Sequence, residues 1–177
     1  MRLIERTFQS TVIINGVEPA ITAKGRYVQW HLSKEDLRMV LGNPDLLEVI
    51  PCHEAKKDTA IARTKVSAPI RAYLNHPLSK TGEKKKILYH GVGKDAIGTE
   101  ALAQNGRNEV SIYDPCHKDQ KARELLDGSF DEIHSHYTLN VINKNIGLEI
   151  IREIEERLTP NGVAIISVRR DLKKNRS

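Results

Sequence analysis

The chain has 177 residues, of which 39% are hydrophobic and 29% charged, and its formal net charge is +5 at pH 7. This composition is typical of one soluble globular domain, and two distant cysteines without CxxC spacing argue against a disulfide framework. No apolar run is long enough for a membrane span, and the N-terminus lacks the apolar stretch of a signal peptide, so we expect a cytoplasmic protein without membrane contact.

The beginning of the chain has the composition of β-structure. Residues 8–14 are rich in β-branched side chains, Asn15 and Gly16 form a tight-turn signal, and a second β-rich run covers residues 21–30. These features predict an N-terminal β-hairpin with its turn at Asn15 and Gly16.

A short helical region follows the predicted hairpin. Ser33 has a carboxylate three residues later, at Asp36, which is the spacing of a reciprocal helix cap. The helix is expected to end before Pro44, and residues 45–50 form one more helical or extended turn. Hairpin and helix together predict an appendage over residues 1–58.

The remainder of the chain, residues 59–177, alternates strand and helix patterns. A connector leads to a helix start at Ser67, with Pro69 in the first turn. Such alternation is typical of an α/β fold with a mostly parallel sheet and helices on both faces. The predicted elements are helix 70–75, strand 87–90, helix 95–104, strand 110–113, a weak helix 117–126, strand 130–134, helix 146–158 and strand 163–168.

A glycine-containing turn follows the first strand of this region. Gly91 and Gly93 stand between strand and helix, where glycine allows a tight turn and lets the backbone approach a ligand. The second strand ends on Asp114, about twenty residues later, at the position where a carboxylate accepts both hydroxyls of a ribose. The pair predicts a site for a nucleotide-type cofactor.

The order and spacing of these segments resemble the Rossmann-like core of the class I S-adenosylmethionine-dependent methyltransferases. The chain is more narrowly similar to the methyltransferases associated with DNA phosphorothioation systems, over about 120 residues from Thr59 on. The shared features are the Ser67-Ala68-Pro69 segment, the glycine loop, Asp114-Pro115, and the Tyr137-to-Ile142 run after the strand that begins FDEI.

The resemblance implies an S-adenosylmethionine-dependent methyltransferase whose acceptor is unknown. Its glycine loop, Gly91-Val92-Gly93, would pass under the methionine half of the cofactor, and Asp114 would hold the ribose hydroxyls. Other positions that the resemblance places around the cofactor or the acceptor entrance are His90, Asp95, Pro115, Cys116, Ser135, His136 and Tyr137.

Three departures from the family pattern favour an alternative, a catalytically inactive module that binds a nucleotide, nucleic acid or protein partner. The family usually has an acidic anchor for the cofactor's amino group where this chain has His90, and a third glycine where it has Asp95. Only nine residues follow Val168, so the resemblance implies a C-terminally truncated core. We expect the N-terminal hairpin or a second subunit to cover the resulting sheet edge.

The candidate general bases for methyl transfer are His134, His136 and Tyr137, with His136 and Tyr137 expected to contact the acceptor. Strand alternation is expected to turn one of the two histidines toward a helix layer. No NPPY-type or DPPY-type tetrapeptide follows the strand, which argues against an exocyclic amino group of a DNA base as acceptor.

Two further patterns are weaker. Lys94 lies in the glycine loop, but the chain lacks the GxxxxGK[ST] spacing of a P-loop, and two adjacent Cys-His pairs lack further ligands for zinc, so no metal is expected. The basic C-terminal tail can contact nucleic-acid phosphates or solubilise a frayed end.

Overall fold

The computed structural model describes residues 9–52, 64–114 and 128–170. Within these ranges the chain is α/β, with three single 3₁₀ turns at Pro44–Leu46, Pro77–Lys80 and Thr138–Val141. The strands are β1 (Ser10–Ile14), β2 (Ile21–Ala23), β3 (Tyr27–Ser33), β4 (Leu47–Pro51), β5 (Lys86–His90), β6 (Glu109–Tyr113), β7 (Phe130–His136) and β8 (Leu158–Arg169), and the helices are α1 (Lys34–Gly42), α2 (Ala68–Asn75), α3 (Ala96–Gln104) and α4 (Lys144–Arg157).

The main sheet of the described residues has six strands in the order β2-β3-β8-β7-β5-β6. Strands β6, β5, β7 and β8 are parallel to one another, whereas β3 is antiparallel to β8 and β2 is antiparallel to β3. The prediction of an α/β fold with a mostly parallel sheet is confirmed.

The predicted N-terminal hairpin is wrong in its pairing. Strand β1 pairs with β4 in a separate two-stranded antiparallel sheet, in which Ile14 lies opposite Leu47. The turn at Gly16 (φ 84°) is real, but the amide of Asn15 donates to the carbonyl of Leu46 and so directs the chain toward β4. A hairpin does form between β2 and β3, around Gly25 (φ 74°).

The N-terminal part of the chain covers the sheet edge for which a partner was expected. Strand β3 pairs with β8 over seven residues, from Tyr27 opposite Arg169 to Ser33 opposite Val163. Since β8 has β7 on one side and β3 on the other, its edge is filled within one chain. From Val163 to Ser167, β8 is therefore paired on both sides by described strands of the same chain.

Alternating side chains of the sheet build two cores. On one face Trp30, Leu88 and Ile166 pack in a cluster with buried residues of α1, α4, β1 and β4. On the other face Tyr89 and Ile165 pack against α2 and α3. Helices therefore cover both faces of the sheet, as predicted. Among the described residues, no helix combines the length and apolar character needed to cross a membrane.

Several element boundaries differ from the predicted ones. The helix start at Ser33 has the predicted reciprocal cap, in which its side chain accepts from the amide of Asp36. Helix α4 begins two residues earlier than expected, because Asn143 caps it. Strand β7 extends to His136 and β8 begins at Leu158, with an irregular register at its start. The predicted weak helix 117–126 lies outside the described residues.

The burial of β3 predicts how much its core side chains contribute to the free energy of unfolding. Leu32 is fully buried between the sheet and α1, so replacing it with alanine should lower the free energy of unfolding by about 2–5 kcal/mol. Met39 is 40% exposed on α1, and Met39→Ala should cost about 1 kcal/mol or less. Denaturant unfolding measures both changes, and equal small losses would contradict the placement of β3 in the core.

Candidate functional site

The carboxyl ends of the parallel strands meet at one edge of the sheet. Strand β5 ends at His90, β6 at Tyr113 and β7 at His136, in parallel register. The loops that follow these strands carry the residues expected to bind the cofactor. In open α/β sheets this edge is where ligands bind.

The glycine loop after β5 adopts backbone conformations that suit glycine. Gly91 has φ 76° and Gly93 has φ 57°, and the amide of Gly91 donates to the carbonyl of Tyr113 at 2.7 Å. A Cβ added at Gly91 would lie 2.1 Å from the hydroxyl oxygen of Thr138. Gly91 is thus required both by its backbone angle and by the close approach of the segment after β7. Between the two glycines, Val92 is buried and packs on the α2 side of the sheet.

Asp114 contacts the glycine loop directly. Its side chain is fully buried, and one carboxylate oxygen accepts a hydrogen bond from the amide of Gly93 at 2.5 Å. The structure therefore brings together the two features whose spacing predicted a common site. The neighbouring candidates Pro115 and Cys116 lie outside the described residues.

Asp95 caps α3. It is buried, and its carboxylate accepts hydrogen bonds from the amide of Gly98 at 2.9 Å and from the hydroxyl of Tyr89 at 2.8 Å. A Cβ at Gly98 would lie 2.2 Å from the same carboxylate, which explains why glycine stands there. Both carboxylate oxygens of Asp95 are therefore used inside the fold.

His90 lies beneath α4. Its ring packs edge-on against Tyr113, with the centroids 5.1 Å apart, and its Nε2 is 3.7 Å from a carboxylate oxygen of Glu153. His90 is fully buried, and within the described residues neither ring nitrogen has a hydrogen-bond partner. Because side chains alternate along a strand, His90 points to the face opposite Tyr89.

The three candidates at the end of β7 have different surroundings. Ser135 is buried, and its hydroxyl has no hydrogen-bond partner in the described part of the chain. His136 is only 8% exposed, and each of its ring nitrogens already has a partner, in His134 and Ser167. Tyr137 is half-buried in a left-handed conformation (φ 68°), and its amide donates to the carbonyl of Ser167.

The expectation that alternation separates His134 from His136 is wrong. Residues two apart in a strand point to the same face, and both rings lie on the α2 side of the sheet, 5.3 Å apart. Glu132 shares that face and accepts from Nε2 of His134 at 3.1 Å. The alternating acidic and histidine pattern of β7 was the signal in the sequence for this buried polar row.

The buried carboxylate of Glu132 is held by three donors. Lys85 donates at 2.7 Å, and the hydroxyl of Tyr73 and the ring of His134 share the other oxygen. Burial alone raises the pKa of Glu132, but the hydrogen bonds from these donors and the charge of His134 outweigh it and lower the pKa to about 2. Burial, together with the adjacent Glu132 charge, raises the pKa of Tyr73.

His31 is attached to the other end of this polar row. Its Nε2 and the side-chain oxygen of Gln29 are 2.8 Å apart, and its ring packs edge-on against His76. Burial, followed by the nearby His76 and His134, lowers the pKa of His31 to about 4. His31 is therefore neutral at physiological pH.

Comparisons with protein-family models, curated proteins and solved structures found no match for this chain.

The close approach at Gly91 can be tested against a matched glycine. Gly25 has nearly the same backbone angle, but an added Cβ would meet nothing within 4 Å. Gly25→Ala should lower the free energy of unfolding by about 1–2 kcal/mol through the left-handed backbone alone. Gly91→Ala should cost about 1–3 kcal/mol more, because its Cβ collides with Thr138. Equal losses in denaturant unfolding would contradict this contact.

The lowered pKa of His31 predicts a pH dependence of stability. The pKa is about 4 in the folded chain against an ordinary 6.5, so the unfolded chain binds more protons between these values. The free energy of unfolding should therefore fall as the pH falls from 6.5 to 4, and His31→Gln should make this decline shallower. The corresponding loss from Glu132 falls in a lower window, between its ordinary 4.5 and about 2.

Denaturant unfolding at several pH values measures this effect. His76→Gln serves as the comparison, because it removes a lesser cause of the shift and leaves His31 buried, so most of the decline should remain. A decline of unchanged steepness in His31→Gln would show that His31 does not resist protonation in the folded chain.

Proposed function

We propose that the protein is an S-adenosylmethionine-dependent methyltransferase that binds its cofactor at the carboxyl edge of β5, β6 and β7. The observation that carries the proposal is the 2.5 Å contact between the Asp114 carboxylate and the amide of Gly93. It joins a glycine turn and an acidic strand end into one rim, as recognition of an adenosine requires.

The sheet order supports the same proposal. In the family that the sequence resembles, an antiparallel strand pair usually completes the sheet. Strands β3 and β2 occupy that edge as an antiparallel pair beside β8. A Rossmann-like core completed by the N-terminal segment of the same chain accounts for this arrangement.

The residues fit the adenosine half of the cofactor better than the methionine half. Asp114 stands at the glycine turn, where its carboxylate would hold the ribose hydroxyls. The bound cofactor would supply an activated methyl group on a sulfonium, so the chain would mainly have to align the acceptor and remove a proton from it. Tyr137 and His136 would contact the acceptor from the end of β7, where the following residue, Thr138, approaches Gly91 of the glycine loop.

A second candidate function is a non-catalytic module that binds an adenosine-containing ligand. The surroundings of His90 and Asp95, the two positions considered as anchors for the cofactor's amino group, favour this candidate. His90 lies beneath α4, and Asp95 is engaged by Gly98 and Tyr89, so neither offers a carboxylate to the cofactor's amino group. The two candidates differ in whether methyl transfer follows binding.

Calorimetry with S-adenosylmethionine and its demethylated product tests the proposal. Both ligands should bind to the wild type, and Asp114→Asn should weaken binding about tenfold or more, because a charged hydrogen-bond acceptor contributes about 1.5–3 kcal/mol. Asp45→Asn makes the same chemical change at an exposed position and should leave affinity unchanged.

Absence of binding at about 1 mM ligand, equivalent to a binding free energy weaker than about −4.1 kcal/mol, would reject the methyltransferase. Binding without turnover in a screen of acceptors with labelled cofactor would favour the module. Equal affinities of the Asp114→Asn and Asp45→Asn variants for the cofactor would show that Asp114 does not contribute to cofactor binding.

A further inference from the structure

Helix α2 begins differently from the other described helices. The side chains that precede α1, α3 and α4 each accept a hydrogen bond from an amide of the first turn; these residues are Ser33, Asp95 and Asn143. Ser67 stands at the same position before α2, but its side chain accepts no such bond. Ser67 is 5% exposed, and its hydroxyl has no hydrogen-bond partner within the described ranges. Buried hydroxyls are normally hydrogen-bonded, so this one requires an explanation.

The first turn of α2 presents hydrogen-bond donors without a neighbouring negative charge. The amides of Ala68 and Ile70 lie at the start of the helix, where an α-helix has no acceptor of its own for them, and Pro69 has no amide hydrogen. No acidic side chain lies in this turn. The partial positive charge of the helix end is therefore not neutralised within the turn. Such a helix end favours the binding of an anion.

Contacts with β3 place this end of α2 at the carboxyl edge of the sheet. The hydroxyl of Tyr27 donates to the carbonyl of Ala68 at 3.5 Å, and the side-chain amide of Gln29 donates to the carbonyl of Pro69 at 2.9 Å. Tyr27 lies opposite Arg169, the last residue of β8. Because β8 is parallel to β7, α2 begins at the edge where β5, β6 and β7 end.

The start of α2 also lies close to the glycine loop. Ile70 packs in one buried cluster with Val92, the central residue of that loop, and Val66 packs against the same cluster. Ile70 approaches α3 as well, because a Cβ added at Gly98 would lie 2.7 Å from its Cδ1. Ser67 therefore stands between two side chains that pack in the surroundings of the glycine loop.

We propose that Ser67 and the N-terminus of α2 bind the carboxylate of the cofactor's methionine half. This inference rests on the proposed function, in which Asp114 would hold the ribose hydroxyls beside Gly93. Helix α3 also begins at the glycine loop, but Asp95 already supplies a carboxylate to its first turn. Of these two helices, α2 is therefore the one whose N-terminus is suited to a carboxylate from a ligand.

The chemistry of a carboxylate matches the donors at this helix end. Its two oxygens can accept from the hydroxyl of Ser67 and from the amides of Ala68 and Ile70, and its charge interacts favourably with the helix dipole. The contacts from Tyr27 and Gln29 hold the first turn of α2 in place, so binding requires little ordering of the backbone. The site would complete the recognition that Asp114 begins at the adenosine half.

Unfolding without ligand distinguishes a ligand-binding hydroxyl from a helix cap. Ser67→Ala should leave the urea midpoint unchanged or raise it, because it removes a buried hydroxyl that makes no hydrogen bond to the described residues. Ser33→Ala makes the same change before α1 and should lower the midpoint, because Ser33 accepts from the amide of Asp36. Equal decreases would show that Ser67 stabilises α2, and would overturn the proposal.

Calorimetry with S-adenosylmethionine and decarboxylated S-adenosylmethionine tests the binding itself, because the two ligands differ only in the carboxylate. The wild type should bind S-adenosylmethionine about tenfold or more tightly than the decarboxylated form. Ser67→Ala should weaken the binding of S-adenosylmethionine about tenfold and leave the affinity for the decarboxylated form unchanged. Ser33→Ala should leave both affinities unchanged.

Equal affinities of the wild type for the two ligands would overturn the proposal and leave cofactor binding intact, and this comparison needs no variant. A loss of equal size for both ligands in Ser67→Ala would also overturn it, because the loss would then be independent of the carboxylate. Binding of neither ligand to the wild type would reject the methyltransferase itself, and the placement of its carboxylate with it.

Discussion

The paired charge of Glu132 is the constraint on which one whole face of the sheet depends. A buried carboxylate is costly unless it is paired and fully hydrogen-bonded, and removing one partner of a buried pair costs about 3–5 kcal/mol. Glu132 meets this requirement with donors from three places: Lys85 before β5, Tyr73 on α2 and His134 on its own strand. Because Tyr73 is one of these donors, pairing the charge of Glu132 also holds α2 against the sheet.

The two faces of the sheet are built on different principles. The face under α1 and α4 is filled mainly by aliphatic and aromatic side chains, and it also carries His90 and Ser135 near the carboxyl edge. The face under α2 carries the polar row of β7 together with Gln29 and Ser167. Apolar packing tolerates sliding better than a directed set of hydrogen bonds, so the polar face specifies how α2 sits.

The sequence predicted the parallel part of the fold because its signals are local. A buried strand such as β8 and the capped start of α1 at Ser33 depend on neighbouring residues. The meeting of Gly93 with Asp114 also follows from order, since parallel strands end at one edge. The partner of β1 was not predictable in this way: whether the chain after Asn15 folds back on itself or meets Leu46 is decided by distant packing.

The roles of single side chains at the site were less accessible to sequence reasoning. His90 and Asp95 stand at the expected positions, but the direction of a side chain depends on strand alternation and on competing donors. Asp95 accepts hydrogen bonds from Tyr89 and Gly98, whereas the ring of His90 packs against Tyr113 beneath α4. In the sequence, Glu132, His134 and His136 of β7 occur at every second position, which is visible without a structure. The partners of Glu132, Lys85 and Tyr73, are distant in sequence, and no local pattern connects them to β7.

The pairing of β3 with β8 has a consequence for how the chain is made. On β3, the side-chain amide of Gln29 donates to Ser167 of β8, which is synthesised 138 residues later. At ribosomal speeds of about 5–20 residues per second, this delay is about 7 to 28 s. During that interval the edge of β3 that later pairs with β8 stays open. Open strand edges promote aggregation, and chaperones bind such surfaces in incomplete chains.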